Sequence, residues 1–136
     1  MVLIDQRALI TNSLGEVLLV KEEKDSDWDL PGGTLDGGAE NWRENLENIL
    51  EENLDLQVMT EQPFFAADFR NPANGEYMYM TIISCQVFAA EFASEKYAEV
   101  EWVKPEELPG RQYAAYDIKE AILMFTQPAD VLPTLR

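Results

Sequence analysis

A loop dense in glycine and aspartate runs directly into an amphipathic helix in the first half of the chain. The loop, DWDLPGGTLDGG, spans residues 27–38, and apolar residues then recur with a helical period from Ala39 to Asn53. One predicted helix face carries Trp42, Leu46, Ile49 and Leu50, and another carries Glu40, Glu44, Glu47 and Glu51. Because burying apolar side chains is favourable and burying unpaired carboxylates is costly, we expect the first face to pack on a sheet and the glutamates to be exposed.

Short segments on both sides of this helix predict β-strands. RALIT and EVLLVKEE flank the turn-rich NSLG and predict a β-hairpin before the loop. After the helix, strands are predicted at LQVMT, FFAADF, YMYMTIISCQVFAAEF and EVEWV, followed by a helical turn at KPEELPG and a second amphipathic helix at AAYDIKEAILMF. This order predicts an α/β fold, an α/β/α sandwich with a mixed β-sheet between the helices, and a length of 136 residues predicts a single domain over residues 1–136.

The charge of the chain limits its partners. It has 26 acidic and 10 basic residues, a formal net charge of −16, which repels a phosphate backbone and makes long DNA or RNA an unexpected partner. The acidity has two interpretations: a solvating surface, as in proteins from a saline cytoplasm, or carboxylates that hold divalent cations for a phosphorylated substrate. Since there is no histidine, histidine-based triads and histidine metal sites are excluded.

The sequence carries no signal for export or membrane insertion. No apolar run approaches the roughly 20 residues that cross a bilayer. The first residues, MVLIDQRALI, lack the basic start and long apolar stretch of a signal peptide. The single cysteine, Cys85, lies in TIISCQVF, where a buried and unreactive thiol is expected. We therefore expect a soluble, cytoplasmic protein with no membrane partner.

Three segments together resemble the Nudix hydrolase superfamily. The loop contains WDLPGG at residues 28–33, the acidic helix follows it, and EVEWVKPEEL stands near the end, at Glu99–Leu108. The family pattern, the Nudix box, is G-x5-E-x7-R-E-U-x-E-E-x-G-U, where U is a bulky aliphatic residue, and W-x-L-P-G-G often precedes it. The resemblance covers most of the chain and implies a Nudix-like α/β/α sandwich.

The box can be aligned in two registers, both starting at Gly33. In the ungapped register, Ala39 takes the first Glu position, Glu47 and Asn48 replace Arg-Glu, Glu51 and Glu52 match Glu-Glu, and Leu54 and Asp55 take the last two positions. In the inserted register, one extra loop residue makes Glu40 the first Glu and Leu56 the final aliphatic residue, but places Ile49 and Asn53 at two glutamate positions.

Helix geometry favours the ungapped register. In that register the apolar residues Leu46, Ile49 and Leu50 cluster for packing. The residues at the metal-binding positions, Asn48, Glu51 and Glu52, share the acidic side. The inserted register would instead direct Ile49 into a solvated metal site.

The resemblance implies a divalent-metal chemistry with Mg²⁺ or Mn²⁺. Hard cations bind carboxylate oxygens, neutralise a diphosphate and activate water. The implied metal ligands are the carbonyl of Gly32 and the side chains of Glu51, Glu52 and Glu99, and Glu51, Glu52 and Glu47 are the candidate catalytic residues. Candidate substrate-binding residues are Gly33, whose backbone a ligand can approach closely, and the cations Arg7 and Arg70, which could hold a phosphate.

Two functions follow from the resemblance. One is a metal-dependent hydrolase of a nucleoside diphosphate linked to another moiety, which the glycine loop and Glu51-Glu52 favour. The other is a catalytically inactive domain that binds a nucleotide-like ligand or a protein partner, which the loss of Arg-Glu favours. If Glu47 and Asn48 disable the site, Glu47→Arg with Asn48→Glu should restore hydrolysis. A small diphosphate or nucleotide is the expected partner; the oligomeric state is left open, with a dimer as one alternative.

Overall fold

The computed structural model describes residues 3–35, 41–70 and 74–126. The first half contains β1 (Leu3–Thr11), β2 (Val17–Lys21), β3 (Gly32–Thr34) and α1 (Trp42–Leu54). The second half contains β4 (Val58–Arg70), β5 (Tyr77–Val87), β6 (Glu99–Val103), a 3-10 helix (Pro105–Gly110) and α2 (Tyr116–Thr126). Within these ranges no helix has the length and apolar character needed to cross a bilayer.

The strands form one mixed sheet in the order β4-β5-β1-β2-β6, with β3 paired to the start of β1. β1 and β5 are parallel, whereas the other pairs are antiparallel. The predicted hairpin around NSLG is present as β1 and β2, and Gly15 supplies a positive φ of 77° in its turn. LQVMT and FFAADF were predicted as two strands but belong to one, β4, whose register shifts on both sides of Pro63. Proline donates no backbone hydrogen bond, so the strand continues only through an irregularity there.

Each face of the sheet carries its own hydrophobic core and its own helix. The core under α1 includes the buried helix residues Leu46, Leu50 and Leu54 and the strand residues Ala8 and Ile10. The core under α2 includes Leu9, Ile82, Val103, Ile118 and Ile122. Residues 8, 9 and 10 of β1 therefore alternate between the two cores, as side chains of a strand must. The expected α/β/α sandwich with a mixed sheet between helices is confirmed.

Helix α1 begins and ends at residues suited to its termini. The Asn41 side chain accepts hydrogen bonds from the backbone N–H groups of Arg43 and Glu44, so the helix begins at Trp42 rather than Ala39. At the other end, Asp55 adopts a left-handed conformation with φ of 54°, and its N–H donates to the Glu51 carbonyl.

The predicted faces of α1 are largely correct, with one exception. Leu46 and Leu50 are buried, Trp42 and Ile49 are half-buried, and Glu44 and Glu51 are exposed; Glu40 lies outside the described residues. The exception is Glu47, which was expected in solvent but is half-buried against β4. Its carboxylate accepts a hydrogen bond of 2.9 Å from the Thr60 hydroxyl, and Arg43 donates to the Thr60 carbonyl at 2.7 Å.

The thiol of Cys85 is buried in the core under α1, as expected. Burial raises its pKa to about 12, and the nearby carboxylates of Glu47 and Glu61 add to the shift. The thiol is therefore protonated at neutral pH and packs as a small apolar group.

A buried ion network fastens the loop before β3 to β1. The guanidinium of Arg7 contacts Asp5 at 2.6 Å and Asp29 at 2.5 Å, and it also donates to the Leu30 carbonyl at 3.3 Å. Burial disfavours the charged guanidinium, but Asp29 and Asp5 outweigh that cost and hold the pKa of Arg7 above its ordinary value. The backbone N–H of Ala8 donates to the Pro31 carbonyl at 2.8 Å and completes the attachment.

Replacing Leu46 by alanine should lower the free energy of unfolding by roughly 2–5 kcal/mol, because the side chain is fully buried and leaves a cavity. Urea unfolding measures this loss. The matched change Glu44→Ala, on the exposed face of the same helix, should cost no more than about 0.5 kcal/mol. Equal losses for the two variants would contradict the assignment of the buried face.

Replacing Arg7 by methionine should destabilise the fold by about 3–5 kcal/mol, because two neighbouring, mostly buried carboxylates lose their shared cation. Denaturant unfolding at pH 7 measures the effect. Adding Asp5→Asn and Asp29→Asn to Arg7→Met removes both stranded charges and should recover at least half of the loss. A triple variant no more stable than Arg7→Met would show that charge is not the cause.

Candidate functional site

Strand β3 pairs with β1 and lies against α1, and its two glycines leave little room for side chains. A Cβ atom on Gly32 would stand 1.9 Å from the backbone oxygen of Gln6, so no larger residue fits. A Cβ atom on Gly33 would lie 3.3 Å from the Cδ1 atom of Ile49 on α1. The N–H of Gly32 also donates to the Tyr97 hydroxyl at 3.4 Å. The paired glycines therefore seat a short strand, here called the glycine strand (Gly32–Thr34), between β1 and α1.

One stripe of α1 faces the glycine strand. Asn45 donates to the Gln6 side chain at 2.6 Å and to the Thr34 carbonyl at 3.4 Å. Ile49, one turn later, lies against Gly33. Since successive residues turn by about 100°, Asn53 continues this stripe and Glu52 lies beside it, whereas Glu51 points roughly 200° away from Ile49.

The end of α1 favours the inserted register of the Nudix box. That register places the second box glycine at Asp55, which adopts the left-handed conformation that glycine favours and is the one non-glycine residue with positive φ in the described ranges. It also places aliphatic positions at Leu50 and Leu56, which are both buried. The ungapped register would put a glycine position at the fully buried Leu54 and an aliphatic position at the exposed Asp55.

These features of α1 favour the inserted register over the ungapped register that the spacing of the apolar residues predicts. The extra loop residue falls within residues 34–39, between Gly33 and Glu40. In the inserted register, Asn48 replaces the box Arg, Ile49 replaces the glutamate that follows it, and Glu52 and Asn53 stand at the Glu-Glu pair. Only one of these three helical glutamate positions keeps a carboxylate.

The fold brings together only some of the carboxylates that were predicted to bind a metal or to act in catalysis. Glu51 and Glu52 line one exposed groove with Asp55, and Asn48 borders the same helix face. Glu47 lies instead against β4, bonded to Thr60. Glu99 pairs with Lys21, Nζ to Oε2 at 3.3 Å, opposite it in the β2–β6 ladder.

A further carboxylate, Glu95, was missed by the sequence reasoning. It lines the groove from the segment between β5 and β6, beside Ser94 and Lys96. The N–H of Ala93 donates to the Leu54 carbonyl at 3.0 Å and fixes this segment to the end of α1. This return of the chain over the helix end has no sequence signature, whereas Glu99 was predicted from the late-loop carboxylate of some family members.

These donors do not fit the metal group that the family pattern implies. Across residues 3–35, 41–70 and 74–126, no three carboxylate or thiol side chains converge closely enough to hold a metal ion. The hydrocarbon side chain of Ile49 lies next to Gly33, where a carboxylate would be needed to bind a cation. A hard cation needs oxygen ligands and gains nothing from this contact.

A separate cavity of about 370 Å³ opens on the α2 face of the sheet. Two predicted substrate-binding residues, Arg7 and Arg70, both line it. Six lining residues were not predicted: Asp29, Met80, Ala114, Ala115, Asp117 and Ile118. Asp117 could have been suspected, because an acidic residue in the first turn of a predicted helix is well placed electrostatically.

The two arginines of this cavity differ in their availability. The charge of Arg7 is already compensated by Asp5 and Asp29. Arg70 is exposed, donates to the Gly75 carbonyl at 3.1 Å and stacks over the Tyr77 ring at 5.7 Å. Arg70 is therefore the better placed of the two to receive an anion, while Asp29 and Asp117 offer acceptors for hydrogen-bond donors.

The fold is shared with solved structures that are about one-fifth identical in sequence. A MutT protein from Methanosarcina mazei Go1 matches with 21% identity and a TM-score of 0.77, over 90% of this chain and 91% of that one. An ADP-ribose pyrophosphatase from Streptococcus suis 89-1591 matches with 20% identity and a TM-score of 0.68, over 95% of each chain. A UDP-X diphosphatase matches with 20% identity and a TM-score of 0.73, over 93% of this chain and 63% of that one.

At such identities these structures establish the fold alone. A comparison with curated protein sequences gives no match. The family model of the NUDIX domain, however, matches residues 4–124, which is most of the chain. The glycine strand, the helix that follows it and the sandwich around them thus have a common explanation: the chain belongs to the Nudix hydrolase family.

Proposed function

We propose that this Nudix-family chain takes a nucleoside diphosphate linked to another moiety, and that the ligand binds in the cavity lined by Arg7 and Arg70. The observation that carries the proposal is the cavity itself. Its volume of about 370 Å³ falls in the usual range of small-molecule sites, roughly 300–1,000 Å³. Its lining combines cations, carboxylates and the apolar side chains of Met80 and Ile118.

The chemistry of the lining matches the parts of such a ligand. Met80 and Ile118 supply apolar surface for a base, and Asp29 and Asp117 accept hydrogen bonds from amino or hydroxyl groups. Arg70 offers a guanidinium to a phosphate. The names of two structural relatives, an ADP-ribose pyrophosphatase and a UDP-X diphosphatase, describe ligands of this class and support it.

We propose further that hydrolysis of the diphosphate by this chain is slow. In the family chemistry, bound Mg²⁺ or Mn²⁺ neutralises the diphosphate and activates water. Among the described residues of this chain, no three carboxylates converge closely enough to hold a metal ion, and Ile49 lies beside Gly33. Glu51, Glu52, Asp55 and Glu95 line one groove and are the acids that could hold a cation weakly.

The second candidate is a domain that binds the same ligand without hydrolysing it. It is favoured by one observation, the apolar contact between Ile49 and Gly33. Both candidates use the same cavity, so they differ in turnover and not in ligand class.

We also propose that residues 1–136 form a single Nudix-like domain, because both cores share one sheet and the family match runs from residue 4 to residue 124. The cytoplasmic location remains a prediction from the sequence.

Ligand binding should depend on Arg70 and Asp117. Calorimetric titration with ADP-ribose and a UDP-sugar should show that Arg70→Gln and Asp117→Asn each weaken binding at least about tenfold, or ~1.4 kcal/mol, because each removes one charged contact. Lys24→Gln, an exposed change outside the cavity lining, is the control and should bind as wild type. If no nucleoside diphosphate binds to wild type, or if the three variants bind equally well, the cavity is not the site.

Turnover separates the two candidates. If the chain is a slow hydrolase that uses the groove, Glu52→Gln should reduce release of the monophosphate in the presence of Mn²⁺ by about 10²-fold or more, within the range of one catalytic group, and leave binding in the cavity unchanged. If it only binds, wild type and Glu52→Gln should both release none. Equal, measurable turnover by the two proteins would exclude a role for this carboxylate.

A further inference from the structure

We infer that Ile49 and Asn53 occupy the positions of α1 that face the metal site of the family pattern. In this chain, the apolar contact between Ile49 and Gly33 therefore stands where that pattern places a cation. The inference deepens the proposed function, because it states which residues make hydrolysis slow. The replaced Arg-Glu pair of the box is then Asn48 and Ile49, not Glu47 and Asn48.

The stripe of α1 that faces the glycine strand carries the argument. Asn45, Ile49 and Asn53 are spaced by four residues and therefore share one side of the helix. The first donates to the Thr34 carbonyl at 3.4 Å, and the second packs on Gly33. Any helical ligand for a cation at the glycine strand must come from this stripe or from its neighbour, Glu52.

The side chains of this stripe supply too little negative charge for a hard cation. Isoleucine offers no donor atom, and asparagine offers a neutral amide oxygen in place of a carboxylate. Glu52 is the one carboxylate beside the stripe, and its neighbour Glu51 points away from the glycine strand. Mg²⁺ and Mn²⁺ are held by several carboxylate or water oxygens in a defined geometry, which this set does not provide.

Glu47 and Asn48 do not lie at this contact. The Glu47 carboxylate is engaged by the Thr60 hydroxyl at 2.9 Å, on the side of α1 that faces β4. Asn48 is exposed and borders the groove with Glu51, Glu52 and Asp55. Glu47→Arg with Asn48→Glu would therefore break the contact with Thr60 and place the new carboxylate beside the groove rather than next to Gly33.

The test compares two repairs of the box by their affinity for Mn²⁺ alone, measured by electron paramagnetic resonance of the free ion. The first repair is Asn48→Arg, Ile49→Glu and Asn53→Glu, which follows the inserted register. The second is Glu47→Arg and Asn48→Glu, which follows the ungapped register. We expect the first to bind Mn²⁺ at least about tenfold more tightly than wild type, and the second to bind no better than wild type.

A matched control removes only the charge. Asn48→Arg with Ile49→Gln and Asn53→Gln has side chains of the same size as the first repair but no carboxylates, and should bind Mn²⁺ as weakly as wild type. The inference is overturned if this control binds as tightly as the first repair, or if the second repair gains affinity and the first does not.

Folding is checked by circular dichroism, because a buried carboxylate at position 49 can destabilise α1. If the triple repair does not fold, the single variants Ile49→Glu and Asn53→Glu are tested in its place against Ile49→Gln and Asn53→Gln. A carboxylate at either position should then strengthen Mn²⁺ binding over its amide partner, and equal binding would overturn the inference.

Measuring nucleotide binding distinguishes a failure of this inference from a failure of the proposed function. Titration of wild type with ADP-ribose or a UDP-sugar tests the cavity and does not depend on the box. A chain that gains Mn²⁺ affinity on repair but binds no nucleotide would contradict the proposed function alone. A chain that binds nucleotide but gains no Mn²⁺ affinity on repair would contradict this inference alone.

Discussion

The close approach of Gly32 to the backbone of β1 is the contact on which the rest of the site depends. A Cβ atom there would overlap the Gln6 carbonyl oxygen, so only glycine lets β3 pair with β1. Once β3 is seated, Gly33 meets α1 on one side of the sheet, and the preceding loop meets Arg7 on the other. This one backbone contact therefore sets the positions of both α1 and the cavity lined by Arg7 and Arg70.

The two faces of β1 separate the cavity from helix α1. Gln6 faces α1 and bonds Asn45, whereas Arg7, the next residue, faces the α2 side and lines the cavity. The cavity has cations, acceptors and apolar surface. On the α1 face, no three carboxylates of the described residues converge closely enough to hold a metal ion. The cavity and α1 therefore lie on opposite sides of one strand, so that a substitution on one side need not disturb the other.

Much of the fold was predictable from sequence because it follows from periodicity. The hairpin, the buried face of α1 and the position of the sheet between the helices depend on apolar spacing, which a single sequence displays. The register of the box was not predictable in this way, since a one-residue difference in a glycine-rich loop leaves the helical pattern unchanged. Two structural features favour the inserted register: the backbone of Asp55 is in the left-handed conformation, and the side chain of Leu56 is buried.

The candidate site residues that distant segments contribute could not be predicted from the sequence either. Glu95 and Asp117 join their sites only through the path of the chain, by the attachment of Ala93 to the end of α1 and by the packing of α2 on the sheet. Arg7 and Arg70 were each predicted to bind phosphate because cations are scarce in this chain, and both line one cavity. What the sequence did not reveal is that Asp5 and Asp29 already compensate the first of them.

The irregularity at Pro63 has a consequence for how copies of this chain meet. β4 is 13 residues long and stands at one end of the strand order, so its outer edge is a potential template for strand pairing between molecules. The register shifts on both sides of Pro63, together with its missing N–H group, interrupt that edge near its middle. A net charge of −16 on each copy adds electrostatic repulsion to this geometric barrier. The same distortion that lets one strand span two predicted segments thus protects the chain against edge-to-edge aggregation.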